Sequence, residues 1–348
     1  MAHITFNQRT IGPGHPTYII AEIGINHQGD VTLAKKLIEA AKESGADAVK
    51  FQKRSISRIL TKEGLDMPYD NRNSFGATYG EHKKALELSE ENYAELFTHA
   101  QNAGVDFCAS GWDEESIDFL NNLGVFFFKM ASADLTNIPL LDHTARLGKP
   151  MFLSTGMANM DQVYQAVETV KQHQAPLAVL QCTSTYPTDF EEIHLNVLST
   201  FQDAFPHAVI GYSGHELGIA IPAVAVALGA KIIERHFTLD RTMKGGDHAA
   251  SLEPQGFAKM VRDIRHVESA MGFPEKNIQS SEEPVFKKLA KSIVSTQSIP
   301  SGTIISREML TTKGPGTGIS PTQMDEIVGK TAKNNISIDV VIQETDLY

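Results

Sequence analysis

Through residue 271 the chain alternates between short β-rich runs and longer amphipathic ones, eight times over. The run YIIAEIGI from Tyr18 reads as a strand. Residues 32–44 then read as a helix: Leu33, Ala34, Leu37, Ile38 and Ala41 share one face, Asp30 can cap it and Gly45 ends it. Later strands begin at Ala48, Asp106, Phe126, Met151, Leu177, Val209 and Lys231. Helical patterns cover 90–103, 114–123, 138–147, 161–172, 195–205, 219–228 and 254–271. A long polar insertion, 55–87, follows the second strand. The strand runs are continuously apolar, as strands covered on both sides are. Eight such units in about 250 residues is the usual count for a (β/α)8 TIM barrel. A doubly wound α/β sheet is the rival. The expectation is a barrel over residues 1–271.

The texture changes after Gly272. GFPEKNIQSSEEP is polar and proline-bearing and reads as a linker, 272–290. Residues 291–348 are short β pieces between Gly/Pro turns and read as a small β-rich domain. So short a segment buries a modest core and is expected to dock on something.

Charge and cysteine use narrow the function. A net charge of −11 argues against nucleic acid or an anionic membrane as partner. A phosphate-bearing substrate must then be met by a few placed cations. Two cysteines, Cys108 and Cys182, make no disulfide framework and fit a reducing cytoplasm. The opening MAHITFNQRT has no signal-peptide pattern, and the apolar stretch 219–230 holds Pro222 and is too short to span a bilayer. A cytoplasmic protein is expected.

In a barrel, chemistry gathers at the carboxyl ends of the strands. Polar residues fall there strand after strand: Glu22, then Lys50 and Gln52, Ser110, Lys129 and Ser132, Ser154, Ser184 and Tyr186, Ser213 and His215, and Glu234 and His236. Any one of them has a plain reading, since strand ends meet water. Lys50 and Lys129 stand out as cations inside apolar runs; two lysines at one mouth imply a bound anion, with the serines as neutral donors. The plain alternative is an ion pair with Glu22 or Glu234, and a Schiff-base lysine is a further one. His215 and His236, on adjacent strands, suit a divalent transition metal or are hydrogen-bonded core histidines. Asp247 follows in the glycine-bearing loop GGDHAASLEP.

The segments AEIGINHQGD, KFQK, TYGEHKKALELS, FKMASAD, LSTGM, QCTSTYP, GYSGHE, ALGAKIIERHFTLD and GGDHAASLEP, in this order, resemble the sialic acid synthases. The tail from Ile299 through Val328-Gly329-Lys330 is similar to that family's C-terminal antifreeze-like (SAF) domain. The resemblance implies condensation of phosphoenolpyruvate with open-chain N-acetylmannosamine, with C–O cleavage and phosphate release. The alternatives it leaves are the sugar's 6-phosphate as acceptor, or a related nonulosonic acid as product. It implies that Lys50, Lys129, Ser132, Ser154, Ser184 and Ser213 bind phosphoenolpyruvate, with Ser110 beside them. His215 and His236 match ligands for Mn²⁺, with Mg²⁺ or Co²⁺ possible; Glu22 matches the catalytic carboxylate. Gln52, Tyr186 and Asp247 match positions lining the sugar and metal pocket. A domain-swapped homodimer is also implied.

Two positions depart from the family's pattern. At Ser184 many bacterial members carry Asn, and Ser resembles the animal enzymes. Gly314 stands where bacterial members commonly carry an Arg that reaches the partner subunit's site and contacts the sugar's N-acyl group. Two readings compete with the synthase: a Schiff-base aldolase built on Lys129, and a non-enzymatic sugar-binding module. Trp112 either walls the pocket or packs, the loop with residues 78–84 is positioned to lid the mouth, and Cys182 reads as buried filler.

Overall fold

The structure is a computed structural model that describes residues 2–348. It divides into two compact units, one through Gly272 and one from Phe273 to Tyr348.

The first unit opens with an antiparallel hairpin, β1 (Ile4–Phe6) and β2 (Arg9–Ile11), which the periodicity did not announce. Its turn residues Asn7 and Gln8 both have positive φ, the backbone twist that tight hairpins favour. Then follow β3 (Tyr18–Gly24), α1 (Val31–Glu43) and β4 (Ala48–Lys53). The insertion read as polar loop folds into α2 (Ile56–Ile59), α3 (Lys62–Asp66) and α4 (Tyr79–Leu86). The local reason is a capping box: the Thr78 hydroxyl accepts from Glu81 N–H, and the Glu81 carboxylate accepts from Thr78 N–H. The remaining units are α5 (Glu90–Ala103), β5 (Asp106–Gly111), α6 (Glu114–Leu123), β6 (Phe128–Met130), α7 (Ile138–Ala145), β7 (Met151–Ser154), α8 (Met160–Lys171), β8 (Leu177–Cys182), α9 (Val197–Ala204), β9 (Val209–Gly214), α10 (Ala220–Ala227), β10 (Ile232–His236) and α11 (Pro254–Met271).

The eight strands β3 to β10 are parallel and pair in the order β5-β4-β3-β10-β9-β8-β7-β6. The two ends of that order, β5 and β6, run side by side with Cα atoms within 8 Å, which closes the barrel. The doubly wound alternative is thereby excluded.

Side chains alternate along each strand, and this period of two builds the site. Ile19, Ala21 and Ile23 of β3 face the helices, in a core with Leu37, Ile38 and Phe257. Tyr18 and Ile20 face inward, where they meet Ala48, Cys108, Phe127, Phe152, Leu180 and Ile232. Phe127 and Phe152 stack at 4.4 Å, and the hairpin's Phe6 packs against both. The amino ends of the strands are thus filled with apolar side chains. One step further along, the inward positions turn polar: Glu22, Lys50, Lys129, Ser154, Ser213 and Glu234. The apolar layer is the floor on which that polar layer stands.

In the second unit, α12 (Glu283–Leu289) occupies part of the segment read as linker. Pro284 in its first turn, Glu283 at its start and Lys287 and Lys288 at its end all suit a short helix. Strands β11 (Ser292–Ser295) and β12 (Leu310–Lys313) pair antiparallel, and α13 (Met324–Ile327) follows. Ile293, Ile299, Ile305, Ile336 and Ile342 form the unit's own core. A Cβ at Gly314 would meet nothing closer than 3.6 Å, so packing within this unit does not demand glycine there.

Candidate active site

The polar layer surrounds a cavity of ≈ 200 Å³ at the carboxyl ends of the strands. All of the strand-end residues singled out from the sequence line it, from Glu22 on β3 to His236 on β10; Asp247 stands just behind the wall.

Two lysines and two carboxylates form its base. Lys50 Nζ lies 2.9 Å from Glu22 Oε2 and 3.7 Å from Glu234 Oε1. Lys129 Nζ lies 3.7 Å from that same Glu234 oxygen and donates to Ser154 Oγ at 2.6 Å and to the Met130 carbonyl at 3.0 Å. Ser110 accepts from Lys50 at 3.4 Å, and Ser213 donates to Glu234 at 3.1 Å. Register explains the meeting: Glu22 pairs with Lys50 across β3–β4, and Ser213 with Glu234 across β9–β10. The anion-site and ion-pair readings of the lysines are therefore compatible. The sequence placed Glu234 at a strand end and offered it only as an ion-pair partner; the structure brings it between both lysines.

Environment drives the two carboxylates apart. Burial pushes the Glu22 carboxyl up to about 7, against the opposing pull of Lys50 and with the help of Glu234's charge. Burial acts on Glu234 in the same sense, but Lys129 and Lys50 together outweigh it and hold it below the ordinary range. Such divergence separates a proton-exchanging group from a fixed charge. Burial lowers the Lys129 ammonium, with Glu234 opposing and Lys50 assisting. Lys50, despite burial, is raised by its two carboxylate neighbours.

A hydroxyl cradle stands above the lysines. The Ser132 hydroxyl accepts from Gly156 N–H at 3.0 Å, and Ser184 Oγ is buried without a partner. A Cβ at Gly156 would overlap both serine oxygens, so the glycine of LSTGM keeps this space open.

His215 and His236 face each other with ring centroids 5.2 Å apart, and the half-exposed Tyr186 ring lies 4.1 Å from His215. His215 Nδ1 donates to the Thr183 carbonyl at 2.7 Å, which turns the Nε2 lone pair outward. His236 Nδ1 is buried without a hydrogen-bond partner, 3.7 Å from Asp247 Oδ2. Burial holds His236 well below its ordinary pKa, with His215 adding to the effect, so it stays a neutral ligand. Burial alone would lower His215, but Cys182, the Thr183 carbonyl and Glu234 outweigh it and raise it. Two imidazoles, one oriented by a carbonyl and one near a carboxylate, fit a divalent metal. Among the described residues no group of three His, Cys, Asp or Glu converges on a metal position, so further ligands would come from water or substrate.

Beside His236, which pairs in register with Glu22, Gln52 donates to Glu22 Oε1 at 3.0 Å. Gly24, at φ +55°, sits where Glu22, Gln52 and Asp247 converge, each about 3.1 Å from where its Cβ would be. Other polar residues prove structural. Arg235 is fully buried against Glu216 at 2.6 Å, and Asn26 ties Phe237 O to Ser251.

This arrangement can bind a small dianion and poise a carboxyl near neutrality beside two imidazoles. Residues 37–276 match the NeuB family and residues 290–347 the SAF domain. The chain belongs to the NeuB family. Two of its relatives in that family are enzymes of acidic-sugar synthesis. N-acetylneuraminate-9-phosphate synthase of Homo sapiens is 48% identical over 337 residues, 97% of this chain and 94% of that protein. N,N'-diacetyllegionaminic acid synthase of Legionella pneumophila is 41% identical over 332 residues, covering 94% of this chain and 93% of that protein. The crystal structure of N-acetylneuraminic acid (sialic acid) synthetase from Leptospira borgpetersenii superposes with a TM-score of 0.72 at 33% identity, covering 81% of this chain and 94% of that one. With a NeuB-family barrel and a SAF domain, the architecture agrees with the sequence expectation. No helix among the described residues is long and apolar enough to cross a membrane.

Proposed function

We propose that the chain is a sialic acid synthase: a transferase that condenses phosphoenolpyruvate with an open-chain N-acylmannosamine and releases phosphate. The observation that carries this is the pairing of a two-lysine, multi-serine anion cavity with two facing histidines and Glu22 at one barrel mouth. Lys50, Lys129, Ser132, Ser154, Ser184 and Ser213 hold the carboxylate and phosphate of phosphoenolpyruvate, with Ser110 steadying Lys50. Gln52, Tyr186 and Asp247 line the acceptor's side.

A new C–C bond forms between the enol carbon of phosphoenolpyruvate and the aldehyde carbon as the enol C=C π pair moves to the new bond, and the aldehyde oxygen takes up a proton from solvent water. Water adds at the cationic C2, losing a proton to Glu22, whose pKa of about 7 suits that exchange. The C–O bond to phosphate then breaks and leaves the 2-keto acid. Glu234, held ionised between the lysines, offsets the cationic charge at C2. His215 and His236 would hold a divalent cation, Mn²⁺ by preference, which when bound would supply Lewis-acid polarisation of the aldehyde.

The 6-phosphate of the sugar is a second reading for the acceptor, favoured by the 48% and 47% identity to the human and mouse 9-phosphate synthases. We further propose a cytoplasmic homodimer. The buried free thiols Cys108 and Cys182 fit a reducing compartment, and the exposed apolar residues Phe273, Ile278, Phe286 and Leu289 of the second unit call for a partner surface. The test is phosphate release from phosphoenolpyruvate with Mn²⁺, comparing N-acetylmannosamine and its 6-phosphate, with chelator controls. Release with neither acceptor would reject the assignment.

A further inference from the structure

A second group of cations lies outside the lysine pair at the cavity base. Arg54, the residue after β4, is 2% exposed, and its Nε and Nη1 have no hydrogen-bond partner. Its Nη2 donates to Gln52 Oε1, so it stands directly behind a residue of the cavity wall. Its guanidinium lies 5.0 Å from the ring of Trp112, whose indole N–H is also buried and unpartnered. Lys83, from α4, brings its Nζ to 6.0 Å from that same ring and 4.9 Å from Tyr79. Among the described residues Lys83 Nζ has neither a hydrogen bond nor an ion pair.

The acidic groups nearby do not consume this charge. Glu87 accepts from Lys53 at 3.0 Å and lies 3.7 Å from Arg54 Nη1, so one carboxylate serves two cations before Lys83 is counted. Asp247 lies within electrostatic reach of both Arg54 and Lys83 but turns its Oδ2 to His236 and Gly24. Burying unpaired donors and cations is costly unless a ligand completes them. Burial, with Arg54 assisting, lowers the Lys83 ammonium to about 8, a penalty that a bound anion would relieve.

We propose that Arg54, Lys83 and the Trp112 indole form a second anion subsite, which receives a phosphomonoester at the end of the acceptor sugar remote from its aldehyde. This deepens the synthase reading and rests on it: Gln52, on the acceptor side of the cavity, bridges Arg54 and Glu22, with Asp247 close by. Arg54 supplies the planar donor fork and Lys83 the mobile charge from the insertion helix. The acceptor is then the sugar 6-phosphate.

The test compares kcat/KM of the full-length enzyme for N-acetylmannosamine 6-phosphate and for N-acetylmannosamine, in wild type, Lys83→Met and Lys83→Arg. Met keeps the apolar stem and removes the charge. The expected result is a wild-type preference for the 6-phosphate that falls at least about tenfold in Lys83→Met, through KM, and is restored in Lys83→Arg. The preference also shrinks as ionic strength rises. Equal loss for both acceptors, or an unchanged preference, overturns the subsite. If neither acceptor supports phosphate release, the synthase reading fails, and calorimetric binding of the same two sugars judges the subsite alone. Binding that requires the phosphate and weakens in Lys83→Met sustains it; binding indifferent to the phosphate overturns it.

Discussion

Lys50 and Glu22 are buried together inside the barrel with 2.9 Å between Nζ and Oε2, yet the Glu22 carboxyl sits at about 7. Burial is the main reason, and Glu234 adds to it: its carboxylate draws on Lys50 and Lys129 at once, at 3.7 Å from each. The base of the cavity holds two positive charges and two carboxyls, one of which changes protonation near neutrality.

That sets the pH dependence. Glu22 must be ionised to accept a proton, so kcat rises with pH through about 7 and levels above it. Stability runs the other way. The folded pKa is raised above the ordinary value of 4.5, so Glu22's contribution is fully present below pH 4.5 and is lost as pH rises through about 7. In Glu22→Gln, kcat falls by roughly 10²-fold or more and the limb near 7 disappears. A pH–rate profile of the variant that keeps the limb would assign it to another group.

Lys129 donates to Ser154 and Met130 O and holds Glu234 ionised. Lys129→Met therefore raises KM for phosphoenolpyruvate at least about tenfold, through loss of charge-assisted hydrogen bonds. Borohydride with pyruvate leaves wild-type Lys129 unmodified, as mass spectrometry checks. A reduced adduct there would favour the aldolase alternative.

Gly156→Ala places a methyl group against the Ser132 and Ser184 hydroxyls. KM for phosphoenolpyruvate rises at least about tenfold, the scale of one charge-assisted hydrogen bond, while the thermal midpoint stays near that of wild type. Unchanged KM would remove the serine cradle from the account.

Phe6→Ala is the complementary case. It opens a gap against Phe127 and Phe152 at the far end of the barrel and lowers stability by roughly 3 kcal/mol. Denaturant titration shows the loss, with KM for both substrates unaffected. A changed KM would mean that the apolar floor is not independent of the polar layer above it.

The barrel was legible because strand runs and helical faces repeat with different periods, and helix 114–123 and strand 177–182 coincide with the structure. The site residues were legible because polar residues in buried strands have few other reasons to be there. What escaped depends on contacts distant in sequence. The hairpin of Ile4–Phe6 and Arg9–Ile11 gains its stability from Tyr18, Phe127 and Phe152 rather than from local propensity. Arg54 and Lys83 meet Trp112 only once the insertion folds over the barrel mouth, so residues 55–87 read as polar loop. Helix Glu283–Leu289 lies in a segment whose composition is that of a linker.

The proposed condensation cleaves the C–O bond of phosphoenolpyruvate. The most direct measurement follows ¹⁸O placed in the bridging position of phosphoenolpyruvate, incubated with enzyme, Mn²⁺ and N-acetylmannosamine 6-phosphate. The account predicts acceptor-dependent phosphate that carries the label. Phosphate without the label, or no release with this sugar or its unphosphorylated form, would contradict it.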